Sequence, residues 1–330
     1  MVTAWPKGFP GLAVSAERLA KRVSSMTEGQ ITVRVFAAGE LVDDFECFDA
    51  VSSGDTEMYH AFESYWQNKS RAFNFFSAVP FGLTAAEMQA WVLFGGGQAL
   101  WDELARPFNI KPLLAGNTGA QMGGWYNKEI RGPEDFKGLK VRMTGLAGDV
   151  MRRLGSVAVN LPAGEIFPAL QSGAIDGTEW GGPWNDAVFG LHKVAKFYYY
   201  PGFHEPGTAM SLGVNLKLWE SLSLPHKAVI EAAATAECAY SVAEFNARNA
   251  EALEELRGKL KVNIRKFEDT SLQAMGEASG QVVTVAGEGD ALSRRIAQSF
   301  FAFRRQSTSW SKVAEQAYFN ARLLPFRYGT

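Results

Sequence analysis

The chain is poor in cysteine: Cys47 and Cys238 lie far apart and outside any CxxC or metal-finger spacing. We expect both thiols to be unpaired and expect no thiolate metal site. The sequence also lacks a run of about 18 apolar residues, the length that a membrane-spanning helix requires. Val-Thr-Ala-Trp follows Met1 in place of a basic and then apolar leader. We therefore expect a soluble chain from which any signal peptide has been removed.

Neither sign of charge dominates, because 33 basic residues stand against 35 acidic ones and the formal net charge is −2. Without a broad positive field, the chain is not suited to bind nucleic acid or an anionic membrane surface. Any site for an anion must therefore be local.

Catalytic and phosphate-binding motifs are also missing. The four histidines form no HxxxH pair, no GxSxG occurs, and His60 and Glu63 would point to opposite faces of a predicted strand. The glycine triplet at 95–97 lacks the Lys-Ser or Lys-Thr of a phosphate loop, so it predicts a break in an apolar helix over 87–104. We expect no transition-metal site, no nucleophilic catalysis and no organic cofactor.

Strand-like and helix-like patterns alternate along the 330 residues, a length typical of two lobes. Strands are predicted at 2–5, 31–36 and 57–62, with helices at 11–28 and 45–53. Strand–helix–strand connections of this length require crossovers, so we predict an α/β fold with parallel sheets. The patterns further along predict a second-lobe strand within 113–125, strands at 175–180 and 210–215, and helices at 149–154, 162–172 and 187–194.

The predicted organisation has two lobes with a ligand cleft between them and a long carboxyl-terminal helix. Its parts are lobe I at 1–116, lobe II at 117–210, crossing segments and returning parts of both lobes at 211–291, and the helix and tail at 292–330. The helix is predicted over 292–323 from apolar residues at helical spacing, namely Ile296, Phe300, Phe303, Trp310, Val313 and Ala317.

A local anion site is predicted where Arg142 ends a strand and a helix begins at about residue 149. Such a junction presents free backbone N–H groups, and an arginine adds a planar fork that matches a carboxylate. A structural surface arginine is the alternative. Glu179 ends the strand at 175–180 just before a Gly-Pro turn, where a carboxylate often faces a cleft. As a ligand of a hard cation it would need further oxygens, for which Gln121, Asn185 and Asp186 are candidates by their chemistry.

Two blocks, PEDFKGLKVR at 133–142 and PAGEIFPALQSGAIDGTE at 162–179, together resemble the signature of the substrate-binding proteins of tripartite ATP-independent periplasmic (TRAP) transporters. The segments WGGPWND at 180–186, YYYPGFHEPG at 198–207 and AGEL at 38–41 resemble the branch that binds 2-oxo acids, lactate and related monocarboxylates. The resemblance covers nearly the whole chain.

The resemblance implies that Arg142 binds the ligand carboxylate, while Gln121, Glu179 and the backbone carbonyl of Trp180 hold a cation that also touches the ligand. It implies Tyr65 and Trp66 as pocket walls and Glu205 near the mouth. The residues predicted to contact the ligand are Arg142, Gln121, Glu179, Trp180, Tyr65, Trp66, Glu205 and Asn185, and those predicted to hold the cation are Gln121, Glu179, Trp180 and Glu205. A buried structural amide, a turn carboxylate and core aromatics remain open as alternative roles for Gln121, Glu205 and the Tyr65–Trp66 pair.

The function implied is that of a periplasmic binding protein, without enzymatic activity, that delivers a small carboxylate to membrane permease subunits. We expect one hard cation, because a 2-oxo or 2-hydroxy acid offers two oxygens in chelating geometry. Sodium is favoured over calcium. The resemblance further implies a homodimer through the carboxyl-terminal helix, although that helix could instead pack on its own lobes. A sensor with the same cleft, or an enzyme using Glu179 or Glu165 as a base beside Arg142, remains open.

Two further expectations concern the pocket. Glu63 departs from the neutral residues that the family usually has there, so it either points outward or alters the ligand. Replacing Arg142 by alanine is expected to abolish carboxylate binding without unfolding the protein.

Overall fold

The computed structural model describes residues 1–329, which form two β-sheets with helices packed around them. The strands are β1 Val2–Thr3, β2 Met58–Phe62, β3 Ile110–Asn117, β4 Gly124–Tyr126, β5 Lys140–Arg142, β6 Val157–Val159, β7 Gly177–Thr178, β8 Phe197–Tyr200, β9 Ala209–Asn215 and β10 Asn263–Lys266. The helices are α1 Ala13–Met26, α2 Cys47–Ser53, α3 Ala85–Phe94, α4 Gly97–Ala105, α5 Gly145–Arg153, α6 Ala163–Ser172, α7 Pro183–Phe189, α8 Leu216–Ser221, α9 Leu224–Gly258, α10 Asp269–Gly287, α11 Ala291–Val313 and α12 Glu315–Ala321.

The first sheet has the order β1-β2-β9-β3, and we call it with its helices lobe I. The second has the order β10-β8-β4-β7-β5-β6 and defines lobe II. Each sheet mixes both pairings, since β9 runs antiparallel to β2 and β3, and β4 antiparallel to β7 and β8. The prediction of parallel sheets is therefore only partly right: β4 and β9, which follow the two crossings between lobes, run against their neighbours.

Two predicted strands differ in the structure. Residues 31–36 alternate in exposure but contribute only an isolated bridge between Val2 and Phe36, where Phe36 accepts from the Thr3 amide and donates to the Met1 carbonyl, both at 3.0 Å. The strand expected within 113–125 belongs to lobe II only in part, since β3 pairs in lobe I and β4 in lobe II. The helix expected at 149 begins at Gly145, within one turn of Arg142.

Helix α9 is 35 residues long and packs against β3 of lobe I and α7 of lobe II. On the lobe I side, buried Glu237 accepts hydrogen bonds of 2.6–3.0 Å from Arg18 of α1. On the lobe II side, Asn249 accepts a bond from the Trp184 amide, and Phe245 packs edge-on against the Trp184 ring. One rigid helix thus supports both lobes.

The carboxyl-terminal helix is shorter than predicted, because α11 ends at Val313 and a break at Ala314 separates it from α12. Ile296 and Phe300 are buried, whereas Trp310 and Val313 are 68% and 73% exposed. The apolar stripe therefore packs on its own chain only along its first half.

Three other features bear on the sequence predictions. The glycine triplet does interrupt a helix, since α3 ends at Phe94 and α4 begins at Gly97. Cys47 and Cys238 are both free and buried. Among residues 1–329, no helix combines the length and apolar character needed to cross a membrane.

Glu63 does not point outward but lies fully buried at the start of a 3₁₀ turn after β2. The hydroxyl of Tyr59 donates a hydrogen bond of 2.7 Å to Glu63 Oε1, while Oε2 is buried without a partner among the described residues. Burial raises the pKa of Glu63 to about 7, against the opposing effect of its bond to Tyr59. The carboxyl is therefore most compatible with the fold when protonated.

A pH dependence of stability follows from this raised pKa. The native state retains the Glu63 proton to about pH 7, whereas the unfolded chain loses it near 4.5, so stability is complete below 4.5 and falls as pH rises toward 7. We expect the Glu63 contribution to lower the free energy of unfolding by about 3 kcal/mol between pH 4.5 and 8. Measured by urea denaturation over this pH range, the free energy of unfolding of Glu63→Gln should fall by about 3 kcal/mol less than that of the wild type.

Exposed Glu231→Gln is the matched control and should keep the wild-type pH dependence. Equal loss of stability in the wild type and Glu63→Gln over this range would contradict the assignment of the buried proton.

Candidate ligand and cation site

Arg142 and Glu179 meet because β5 and β7 are adjacent parallel strands that pair Arg142 with Thr178. Both strands end at the same edge of the sheet. Arg142, the last residue of β5, therefore lies beside Glu179, the first residue after β7. Arg142 Nη1 donates to Glu179 Oε1 at 2.5 Å and to the Glu179 carbonyl at 3.2 Å, while Nε donates to the Leu161 carbonyl at 3.2 Å. The two side chains form a buried ion pair, each 3% exposed.

Glu179 remains ionised despite its burial. Burial alone would raise its pKa, but the Arg142 charge and His204 outweigh this effect and hold the pKa of Glu179 below its ordinary value. Arg142 Nη2 makes no hydrogen bond to any described residue. A planar donor of this kind is available to an incoming carboxylate.

Gln121 and Glu205 lie on the two segments that cross between the lobes. Gln121 Nε2 donates to Glu205 Oε2 at 2.9 Å and to Thr208 Oγ1 at 2.8 Å. The segments approach closely, since a Cβ on Gly202 would lie 2.4 Å from the Gln121 carbonyl oxygen. Gln121 Oε1 is buried and accepts no hydrogen bond from residues 1–329, which is a strong indication that another partner belongs there.

His204 is a member of the cluster that the sequence analysis missed. It lies within 4.8 Å of the carboxylates of Glu179 and Glu205, and its Nε2 is 3.6 Å from Glu179 Oε2. Burial lowers the pKa of His204, but Glu179 outweighs burial and the net pKa is raised. The pKa of Glu205 is raised by burial and then by the Glu179 charge. His204 belongs neither to an HxxxH pair nor to the HxxE spacing of His60 and Glu63, and its adjacency to Glu205 was the available signal.

The oxygens of this cluster fit a hard cation. Gln121 Oε1 is free, Glu179 and Glu205 supply carboxylate oxygens, and the Trp180 carbonyl accepts no hydrogen bond from the described residues. Amide, carboxylate and backbone oxygens are the ligands that sodium and calcium prefer, whereas imidazole is not. His204 therefore suits a role beside Glu179 better than direct coordination.

Two aromatic residues lie at the cluster: Trp180, predicted as a ligand contact, and Tyr65, predicted as a pocket wall. The Trp180 ring lies 5.4 Å from the Arg142 guanidinium carbon and packs edge-on against Phe189. Tyr65 is half-buried and close enough to the cluster to be affected by its charges: burial raises the pKa of Tyr65, and Arg142 opposes the shift.

The structure does not bring Trp66 and Asn185 into this cluster, which corrects their predicted roles. The Trp66 ring is 1% exposed and packs against Phe48 and Tyr59 in the core of lobe I. Consecutive residues on the 3₁₀ turn point apart, so Tyr65 faces the cleft and Trp66 the core. Asn185 Nδ2 donates to the Pro10 carbonyl at 3.0 Å, a bond that ties α7 to the amino-terminal segment.

The burial of Arg142 also corrects the expected effect of alanine at this position. Removing the guanidinium would leave Glu179 buried without its partner, a loss of about 3–5 kcal/mol, so Arg142→Ala should destabilise the fold as well as the site. The enzyme alternative needs a base beside Arg142, but Arg142 holds the pKa of Glu179 below its ordinary value, which makes Glu179 a weak base, and Glu165 is exposed on α6.

Known proteins resemble this chain in both sequence and fold. A monocarboxylate 2-oxoacid-binding periplasmic protein of Nostoc sp. is 41% identical over 321 residues, covering 97% of this chain and 87% of that protein. A TRAP transporter solute-binding protein of Bordetella bronchiseptica is 37% identical with a TM-score of 0.94, covering 98% of this chain and 96% of the other. It was solved as a mixed-occupancy dimer with copurified calcium and picolinate in one active site and an apo site.

A third relative is the TRAP periplasmic solute-binding protein of Pseudoalteromonas atlantica, solved with bound sodium and pyruvate. It is 34% identical, has a TM-score of 0.93 and covers 99% of this chain and 98% of the other. These matches confirm the predicted two-lobed α/β fold. Residues 2–288 match the model of bacterial extracellular solute-binding protein family 7, and the chain therefore belongs to this DctP family of TRAP solute-binding proteins.

Proposed function

We propose that the chain captures a small 2-oxo monocarboxylate such as pyruvate, together with one hard cation, in the periplasm and delivers it to the permease subunits of a TRAP transporter, without catalysing a reaction. The observation that carries this proposal is the buried Arg142–Glu179 pair beside the free Gln121 Oε1. The pair provides a carboxylate-binding fork, and the amide oxygen provides a place for a cation.

The residues have separate tasks in this proposal. Arg142 holds the ligand carboxylate through Nη2, and Trp180 covers the guanidinium so that water is excluded from it. Gln121, Glu179, Glu205 and the Trp180 carbonyl would hold the cation, which when bound supplies a positive centre for the second oxygen of a 2-oxo or 2-hydroxy acid such as lactate. Arg142 already offsets the charge of Glu179, which favours monovalent sodium over calcium.

The first experiment is a thermal-shift assay of metal-stripped protein in choline chloride. Pyruvate, longer 2-oxo acids, lactate and acetate are each added with and without sodium or calcium. A ligand at 100 times its Kd stabilises the native state by about 2.7 kcal/mol, so we expect a cation-dependent rise in Tm with a 2-oxo acid and none with acetate.

Acetate is the matched control, because it has the carboxylate without a second oxygen. An equal rise with acetate would contradict selection for that oxygen, and consumption of the acid on prolonged incubation would favour the enzyme alternative. No rise with any acid would overturn the proposed ligand class.

Arg142→Lys tests the carboxylate-binding role with less damage than alanine. Lysine keeps the positive charge near Glu179 but loses the planar fork. We expect pyruvate affinity, measured by isothermal titration calorimetry at saturating cation, to fall at least 30-fold, in line with the loss of about 2–5 kcal/mol for a disrupted buried charged contact.

The matched control is Arg152→Lys on the exposed side of α5, which should keep wild-type affinity. Wild-type affinity in folded Arg142→Lys would show that the fork does not bind the ligand.

We also propose that two chains form a homodimer through the carboxyl-terminal segment. Trp310 on α11, Tyr318 and Phe319 on α12, and Leu323 just after α12 are 68%, 63%, 49% and 81% exposed, and large exposed apolar side chains grouped in one segment are typical of a contact surface. The B. bronchiseptica relative is a dimer, which supports the proposal.

The double variant Tyr318→Glu/Phe319→Glu should shift the mass measured by light scattering after gel filtration from dimer to monomer. Leu224→Glu is the control, since Leu224 is 80% exposed at the start of α9 and lies outside this segment. A monomeric wild type, or a dimeric double variant, would contradict the proposal.

A further inference from the structure

Asp186 is a buried carboxylate of lobe II, 1% exposed, and both of its oxygens are engaged by protein donors. The Trp125 indole donates to Oδ2 at 2.9 Å and the Tyr198 hydroxyl at 2.7 Å. The amide of Gly181 donates to Oδ1 at 3.1 Å. With three donors on its two oxygens, Asp186 is not placed as a direct cation ligand, which corrects its candidacy from the sequence.

The bond to Gly181 determines the direction of the Trp180 carbonyl. The Trp180 carbonyl and the Gly181 N–H belong to one peptide unit, which is trans, because the cis bond of the described residues is Tyr200–Pro201. In a trans peptide the C=O and N–H vectors are antiparallel. Since the N–H points at Asp186, the carbonyl points away from it.

Gly181 is fixed on its other side as well. Its own carbonyl accepts a hydrogen bond of 3.0 Å from the amide of Met122, the residue next to Gln121. Gly181 therefore donates one hydrogen bond to Asp186 and accepts another from Met122. Together these two bonds fix the spacing between the Trp180 carbonyl and Gln121. The Trp125 and Tyr198 rings that hold Asp186 are stacked at 4.0 Å and fully buried, so the anchor is rigid.

We infer that Asp186 is the positioning residue of the cation site, holding the Trp180–Gly181 peptide with the Trp180 carbonyl directed at the cation. This inference rests on the proposed function. The hydrogen bond from the Gly181 N–H to Asp186 Oδ1 also polarises the peptide and makes the Trp180 carbonyl oxygen a stronger ligand for a cation. Outer groups that orient cation ligands typically change metal affinity 10- to 100-fold when they are mutated.

Asp186→Asn is the first test. An amide can accept hydrogen bonds at only one of its two positions, so it cannot satisfy the donors from Gly181, Trp125 and Tyr198 together. We expect the calcium concentration at half-saturation, with pyruvate present, to rise 10- to 100-fold. Pyruvate affinity at saturating calcium should stay within about threefold of the wild type.

Glu63→Gln is the matched control, because it also removes a buried carboxylate but lies in lobe I, bonded to Tyr59. It should leave the calcium midpoint unchanged. A purely structural role for Asp186 would lower the Tm of Asp186→Asn without moving that midpoint, and this result would overturn the inference.

The carbonyl can be observed directly, because Trp180–Gly181 is the only Trp–Gly pair in the sequence. Protein labelled with carbonyl-¹³C tryptophan and ¹⁵N glycine gives one cross-peak in a carbonyl–amide correlation spectrum, from this peptide alone. Calcium with pyruvate should shift the Trp180 carbonyl resonance in the wild type. In Asp186→Asn the Gly181 amide resonance should already be displaced without calcium.

The outcomes separate the two proposals. A wild type without cation-dependent pyruvate binding would refute the proposed function, whereas normal binding with an unmoved Trp180 resonance would refute the inference alone. If Asp186→Asn does not fold, Tyr198→Phe replaces it: loss of one donor to Oδ2 should move the Gly181 amide and raise the calcium midpoint together. Movement of the amide without the midpoint would contradict the inference.

Discussion

The site depends on one costly interaction, the buried ion pair of Arg142 and Glu179. Arginine does not lose its proton in proteins, so burial cannot neutralise the pair by deprotonating the guanidinium. Removing two charges from water costs more than their attraction returns unless hydrogen bonds complete the geometry. The Leu161 and Glu179 carbonyls supply part of that completion. In other proteins, replacing a buried ion pair by apolar residues is often neutral or stabilising, so the charges are better explained by a ligand than by stability.

The fold places this pair where both lobes can act on it. Parallel β5 and β7 bring Arg142 and Glu179 to one sheet edge, and the crossing segments that carry Gln121 and Glu205 join the lobes at the same point. Helix α9 supports both lobes from behind. The segments that join the lobes therefore also carry residues of the site, so a hinge motion of the lobes would change the site. This arrangement is expected for closure around a ligand.

How much the sequence could predict depends on the range of the interactions involved. Arg142 and Glu179 were identifiable because strand ends and turn residues are local patterns. Trp66 and Asn185 were not excluded, because one is turned into the core by a 3₁₀ turn and the other bonds Pro10, 175 residues away. The residues at 31–36 have a strand pattern, but pairing is decided by a distant segment, and only Phe36 forms a bridge, with Val2. The fold class, by contrast, follows from alternation repeated along the whole chain.

The groups left without protein partners explain why an anion and a cation belong together in this site. Arg142 Nη2 is a free donor, while Gln121 Oε1 and the Trp180 carbonyl are free acceptors. An anion alone would satisfy the donor but face Glu179 and Glu205, and a cation alone would satisfy the acceptors but face Arg142. Each ion offsets the repulsion that the other meets, so each must raise the affinity for the other by the same factor. A chelating acid that touches both adds a direct contact to this coupling.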